Sequence, residues 1–90
     1  MEIIFDPAKS ERNRAERGFG FELVGDFDFD SAFIWIDDRH DYGETRFAAL
    51  GLVKARLYAL VYTEIVGGIR VISFRKANDR EVFHYGKQQS

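Results

Sequence analysis

The chain has 90 residues, 46% of them hydrophobic and nine of them Phe, enough to bury one core and too few to build a second domain. It contains no Cys, which excludes a disulfide framework and thiolate chemistry, and its two isolated His form no zinc-ligand pattern, so neither a metal nor another cofactor is expected. The net charge of −2 conceals an uneven split: residues 1–45 carry twelve Asp or Glu against five Lys or Arg, whereas residues 46–90 carry three against eight.

That balance rules out a strongly basic nucleic-acid binder and leaves a local basic patch within a mildly acidic whole. A basic segment followed by a long apolar run is absent from the first residues, and no stretch approaches the roughly 18 apolar residues of a membrane span. A cytoplasmic protein with no membrane partner is the expectation.

Residues 2–5 form a short apolar run suited to a strand, and Asp6-Pro7 is a helix start: Asp accepts hydrogen bonds from free amides, and Pro loses nothing at the first helical position. The helix runs to Arg17 and stops at Gly18, with a polar surface that leaves Ala8 and Ala15 as small contacts and implies shallow burial or completion by a partner. Phe at 19, 21, 27 and 29 fits a short helix over residues 21–27, the favoured reading, or a bent extended piece. Residues 31–36, SAFIWI, read as a strand, followed by a polar loop over residues 37–44. Runs over residues 45–53, 56–65 and 69–75 complete an antiparallel meander, the last two joined through Gly67-Gly68, and a charged helix follows.

Strand parity sorts the side chains. A turn centred on Gly67-Gly68 sets Ile65 opposite Arg70, placing Tyr62, Glu64, Val71, Ser73 and Arg75 on one face and Ala59, Val61, Thr63, Arg70, Ile72 and Phe74 on the other, the better core. The same parity adds Arg46, Ala48 and Leu50 to the apolar face, with Arg46 and Arg70 near one end and not beside Arg75. Cations are concentrated where the last strand ends in Arg75-Lys76, a place suited to holding a phosphate.

Three blocks carry a family resemblance. FDPAK with Asn13 and Gly18, then DDRHDYGETRF, then IRVIS-x-RKA with Arg80, Glu81 and Tyr85 together resemble the BrnT toxin family across nearly the whole chain. The resemblance implies a RelE-like α+β fold, with an antiparallel sheet of four or five strands between helices at the two ends. It also implies ribonuclease activity that suppresses translation, and neutralisation by a BrnA-like antitoxin through which any contact with DNA would be made. Three positions depart from the family pattern. Glu16-Arg17-Gly18 stands where Lys-His-Gly is usual, Val82-Phe83-His84 where charges are common, and Phe74 in place of a small residue.

A metal-free ribonuclease needs a base for the ribose 2′-hydroxyl, cations for the pentacoordinate phosphate and a donor for the departing oxygen. Arg75 is expected to grip phosphate with its planar fork, supported by Arg70 or Arg46 according to which face is open. Parity places Glu64 with Arg75 as candidate base, with Tyr62 as an orienting group, although a cross-strand partner explains Glu64 as well. Lys76, Arg80 and His84 fall on one helical face, His84 as candidate acid and the cations as RNA contacts; a solvated face accounts for the same spacing. Tyr85 is a further candidate RNA contact, with aromatic packing as the plainer account. The acidic loop of Asp37, Asp38, Asp41 and Glu44 reads as solvated and not as a Mg²⁺ cage, because Arg39 and His40 interrupt it. A second reading makes the chain a catalytically weak module that binds the antitoxin and supports operon autorepression. The polar first helix, the Phe-rich segment and the charge split also favour a protein partner of basic or mixed charge.

Overall fold

The computed structural model describes residues 1–89, folded around a five-stranded sheet. In chain order the elements are β1 (Glu2–Ile4), α1 (Pro7–Arg17), a short 3₁₀ helix (Phe21–Asp26), β2 (Phe33–Ile36), β3 (Phe47–Val53), β4 (Arg56–Ile65), β5 (Gly68–Lys76) and α2 (Asp79–Gln89). The α+β class and the helices at both ends agree with expectation. The sheet order is β1-β5-β4-β3-β2; β2 to β5 form the expected antiparallel meander, whereas β1 pairs with β5 in parallel, so the sheet is mixed.

The signals at α1 act as read. The Asp6 carboxylate accepts a hydrogen bond from the Ala8 amide at 2.9 Å, Pro7 occupies the first turn, and Gly18 closes the helix with φ 91° while its N–H donates to the Arg14 carbonyl. Its contacts differ from expectation, since Ala8 and Ala15 are exposed and Ser10 is the buried residue. The Ser10 hydroxyl accepts from the Phe21 amide at 2.8 Å and donates to Glu22, and the Asn13 amide donates to the Phe19 carbonyl at 3.0 Å. An Arg14–Glu22 ion pair adds to this polar seam, so α1 is tethered by hydrogen bonds where it lacks an apolar stripe.

The 3₁₀ segment covers one face of the sheet and supplies the core. Phe21, Val24 and Phe27 pack there with Ala49, Val53, Tyr58, Leu60, Tyr62, Ile69, Val71 and Phe74. The Phe residues expected as a surface for a partner are therefore buried or half-buried. Phe74 is the hub, stacked on Tyr58 at 5.0 Å and met edge-on by Phe19 and Phe27. On the opposite face α2 covers a smaller cluster of Leu50, Leu57 and Ala77, joined by Leu52, Ala59 and Tyr85.

The β4–β5 register corrects the parity reading in two ways. The turn tip is Val66-Gly67, with Ile65 opposite Gly68 instead of Arg70. Gly68 belongs to the strand because a Cβ there would stand 1.9 Å from the Glu2 carbonyl oxygen, so only glycine admits β1 alongside. This two-residue shift preserves parity as far as Tyr62 opposite Val71. Beyond it a bulge intervenes, and Val61 pairs with Ser73, Leu60 with Phe74 and Ala59 with Arg75. Ser73, Phe74 and Arg75 thereby exchange faces relative to the uninterrupted pattern. The core face is that of Tyr62, not that of Ala59 and Val61.

Adding a methyl at Gly68 should displace β1 and cost about 1–3 kcal/mol, the range for overpacked sites. Gly25→Ala, where a Cβ meets nothing within 4 Å, is the matched control and should leave the denaturant midpoint unchanged. Equilibrium urea unfolding of the two variants separates the outcomes.

Candidate active site

The face opposite the 3₁₀ helix is left partly open by α2, and a trough runs across it. Small and branched side chains of the central strands make its floor: Ala48 and Leu50 from β3, Ala59 and Val61 from β4. Trp35 from β2 walls one side, while Arg39, Asp37, Arg75 and Glu81 gather around the cavity, which measures about 160 Å³. A neighbouring hollow of about 410 Å³ shares Trp35, Leu50 and Glu81 and adds Phe33, Arg80 and His84. Together they form a continuous surface between β2 and α2.

Two guanidinium groups are oriented by carboxylates at this trough. Arg75 faces Glu81 in a bidentate pair, with both N–H···O distances 2.8 Å. Glu81 also accepts from the Asn78 amide at 2.9 Å while the Asn78 side chain accepts from the Glu81 amide, a capping box that starts α2. The Arg75 contact holds the Glu81 carboxyl below its ordinary range, and Glu81 in turn favours the Arg75 charge. Arg39 makes the second bidentate pair, to Asp37 at 2.7 and 2.8 Å. Asp37 is buried at the end of β2, where its amide donates to the Arg46 carbonyl, and its carboxyl is lowered to about 2, chiefly by the Arg39 hydrogen bonds. Arg39 also lies near enough to oppose the Arg75 charge, so two guanidinium groups, each with its own carboxylate, meet at the trough.

The expected residues divide between this face and others. Arg75, Arg80 and His84 come to the trough, with His84 set edge-on against Phe33 at 5.4 Å. Glu64 does not: it pairs with Ile69 on the Tyr62 side, whereas Arg75 pairs with Ala59, so the sheet separates the carboxylate from the guanidinium. Tyr62 is a core residue stacked on Phe47 at 5.5 Å, its hydroxyl pKa raised mainly by burial and less by Glu64. Lys76 ends β5 opposite Tyr58, on the core side and before α2 begins, and so cannot share a helical face with Arg80 and His84.

Arg70 and Arg46 do share the Arg75 face but lie toward its other end. Glu44 ties them together, accepting from Arg70 at 2.8 and 3.0 Å and from Arg46 at 3.1 Å, while Arg46 covers the Tyr42 ring at 4.0 Å. Tyr85 turns inward, its hydroxyl donating to the Ser31 carbonyl at 3.0 Å. The acidic loop commits Asp37 and Glu44 to arginines.

A family model described as the ribonuclease toxin, BrnT, of type II toxin-antitoxin systems matches residues 5–81. The chain belongs to the BrnT toxin family. A search among curated proteins gave no match. The BrnT match spans every residue lining the smaller cavity and ends at Glu81, the residue that joins Arg75 to α2, so His84 lies beyond it. Membership carries with it the class of ribonuclease toxin and an antitoxin protein as partner. None of the described helices of this BrnT chain is long and apolar enough to cross a membrane.

Sequence reasoning passed over Asp37 and Arg39 as trough residues, and weighed Trp35 as a base-stacking platform against core packing. The clue was the DDR run immediately after an apolar strand, because an Asp ending a strand can hold an Arg two positions on. A second clue was Asn78-x-x-Glu81, the spacing of a capping box.

A carboxyl that ionises at about 2 in the folded chain, against about 3.9 unfolded, contributes stability that is complete above about pH 4 and lost as pH falls toward 2. Asp37→Asn should therefore be less stable than the parent at neutral pH, with the gap closing between pH 4 and 2. Denaturant titrations at stepped pH measure it.

Proposed function

We propose that this chain is a metal-independent endoribonuclease that suppresses translation and is neutralised by a BrnA-like antitoxin. The observation that carries the reading is the pair of guanidinium forks, Arg39 and Arg75, held at one small cavity on the open face of the sheet. Two forks at one cavity suit a phosphodiester whose oxygens gain charge as a fifth ligand joins phosphorus. In this reading Arg75 grips the scissile phosphate as it leaves Glu81, and Arg39 stabilises the same charge from the β2 side. His84 exchanges the proton at the departing 5′-oxygen, since imidazole is the side chain suited to that task near neutrality. Glu81, relieved of its cation once Arg75 turns to phosphate, becomes the carboxylate nearest the reaction and takes the base role first sought in Glu64.

Trp35 offers a half-exposed ring on which a base stacks, and Arg80 follows the RNA backbone along α2. Arg46, Arg70 and Lys76 lie outside the trough and act, if on RNA at all, through long-range attraction. Any bearing on DNA passes through the antitoxin. The weak-module reading draws support from the same forks, because both are filled in the free chain and must be emptied before they hold phosphate.

End-labelled single-stranded RNA incubated with the purified protein and a chelator tests the proposal. The parent should leave 2′,3′-cyclic phosphate ends, and Arg75→Ala and Arg39→Ala should each slow cleavage by about 10²–10³-fold, the loss typical of one transition-state donor. Glu64→Ala should cleave at the parent rate; a large loss there would return the base to the other face. Absence of cleavage, with translation in cells unaltered and antitoxin binding retained, would decide for the weak module.

A further inference from the structure

The outer edge of β5 is only partly covered. β1 pairs with residues 68–70 and ends, and no strand lies beyond residues 71–76. The Ala77 amide donates to the Leu57 carbonyl at 3.1 Å, so Ala77 faces β4; by alternation Arg75 faces β4 too, and the backbone N–H groups of Phe74 and Lys76 point away from the sheet. An edge of this kind is a template for another strand.

A groove of about 380 Å³ lies between this edge and α1. Residues 72–75 line it on one side and Lys9, Arg12, Asn13, Glu16 and Arg17 on the other. Among the described residues Lys9, Arg12 and Arg17 form no ion pair, and Glu16 is the one carboxylate in the lining. Unspent backbone donors therefore stand beside three unspent cations.

We propose that this groove receives an extended, acidic segment of the antitoxin, which adds to the sheet along β5. The inference rests on the toxin–antitoxin reading. A polypeptide fits better than RNA because the edge presents amides at strand spacing, which a second strand meets with carbonyls at the same repeat, about 3.3 Å per residue. The cations select carboxylates on that strand. Arg75 borders both this groove and the trough, so a segment seated on the edge also bears on the side chain assigned to phosphate. Occupation of the edge thus provides a route to neutralisation that leaves the floor of the trough untouched.

Amide hydrogen exchange of the protein, alone and in complex with the antitoxin encoded beside it, is the test. The expected result is that Phe74 and Lys76 exchange at least about tenfold more slowly in the complex. Lys9→Glu combined with Arg12→Glu, two exposed and unpaired positions, should weaken the complex by about tenfold or more while RNA cleavage by the free variant is kept. A complex in which these amides exchange as in the free chain would overturn the docking site and leave the toxin reading standing. Slowing that appears without antitoxin and grows with protein concentration would assign the edge to a second copy and overturn the inference. Slowing produced by a single-stranded RNA oligomer instead of antitoxin would do the same in favour of nucleic acid. No complex and no cleavage would remove the toxin reading together with the inference.

Discussion

A single unpaired residue in β5 decides how this molecule is arranged. Between Val71 and Ser73 the strand gains one position on β4, and every side chain after it changes face. Without the bulge Phe74 would project toward α2 and Arg75 into the core. With it, Phe74 becomes the most connected ring beneath the 3₁₀ helix while Arg75 emerges over a floor of Ala48, Ala59 and Val61. Burial of the ring and presentation of the guanidinium are one event, since neither side chain can move to the other face without the other.

Carboxylates set Arg39, Arg46, Arg70 and Arg75 in place. Glu81 holds Arg75, Asp37 holds Arg39, and Glu44 joins Arg46 to Arg70. Apart from the pair on buried Asp37, these partly exposed pairs add little to stability, typically about 0–1 kcal/mol each, so their main effect is orientation. A long, flexible side chain held in one geometry loses less entropy when it grips a ligand. Glu81 does more than orient. Because Glu81 Oε1 also accepts from the Asn78 amide, the entrance of α2 and the aim of Arg75 depend on the same carboxylate.

Most elements were legible because each is written in local pattern. Asp6-Pro7 and Gly18 bound α1, the Phe-rich segment forms a short helix, and the run Arg56–Ile65 is a strand at the bounds read for it. The facing of β5 was not, since alternation was carried through a strand that breaks it. The break does leave a trace: the buried positions are Ile69, Val71 and Phe74, so the interval lengthens from two residues to three after Val71. Parallel pairing of β1 had no local mark beyond Gly68, whose missing side chain matters only once Glu2 lies beside it. The trough was half legible: Arg75, Arg80 and His84 stand near one another in sequence, whereas Asp37 and Arg39 reach them only through the folded sheet.

The pairing of β1 with β5 joins residues 2–4 to residues 68–70. Contacts so distant along the chain close late, because the ends of a long loop must meet before any bond rewards them. The trough follows the same order: Arg75, Arg80, Glu81 and His84 all emerge from the ribosome after the floor on which they sit. A chain of which only β2 and β3 have formed holds Arg39 on Asp37 but lacks Arg75 and Glu81. Its two guanidinium forks are thus set at different stages, the first within one loop and the second only with β5 and α2.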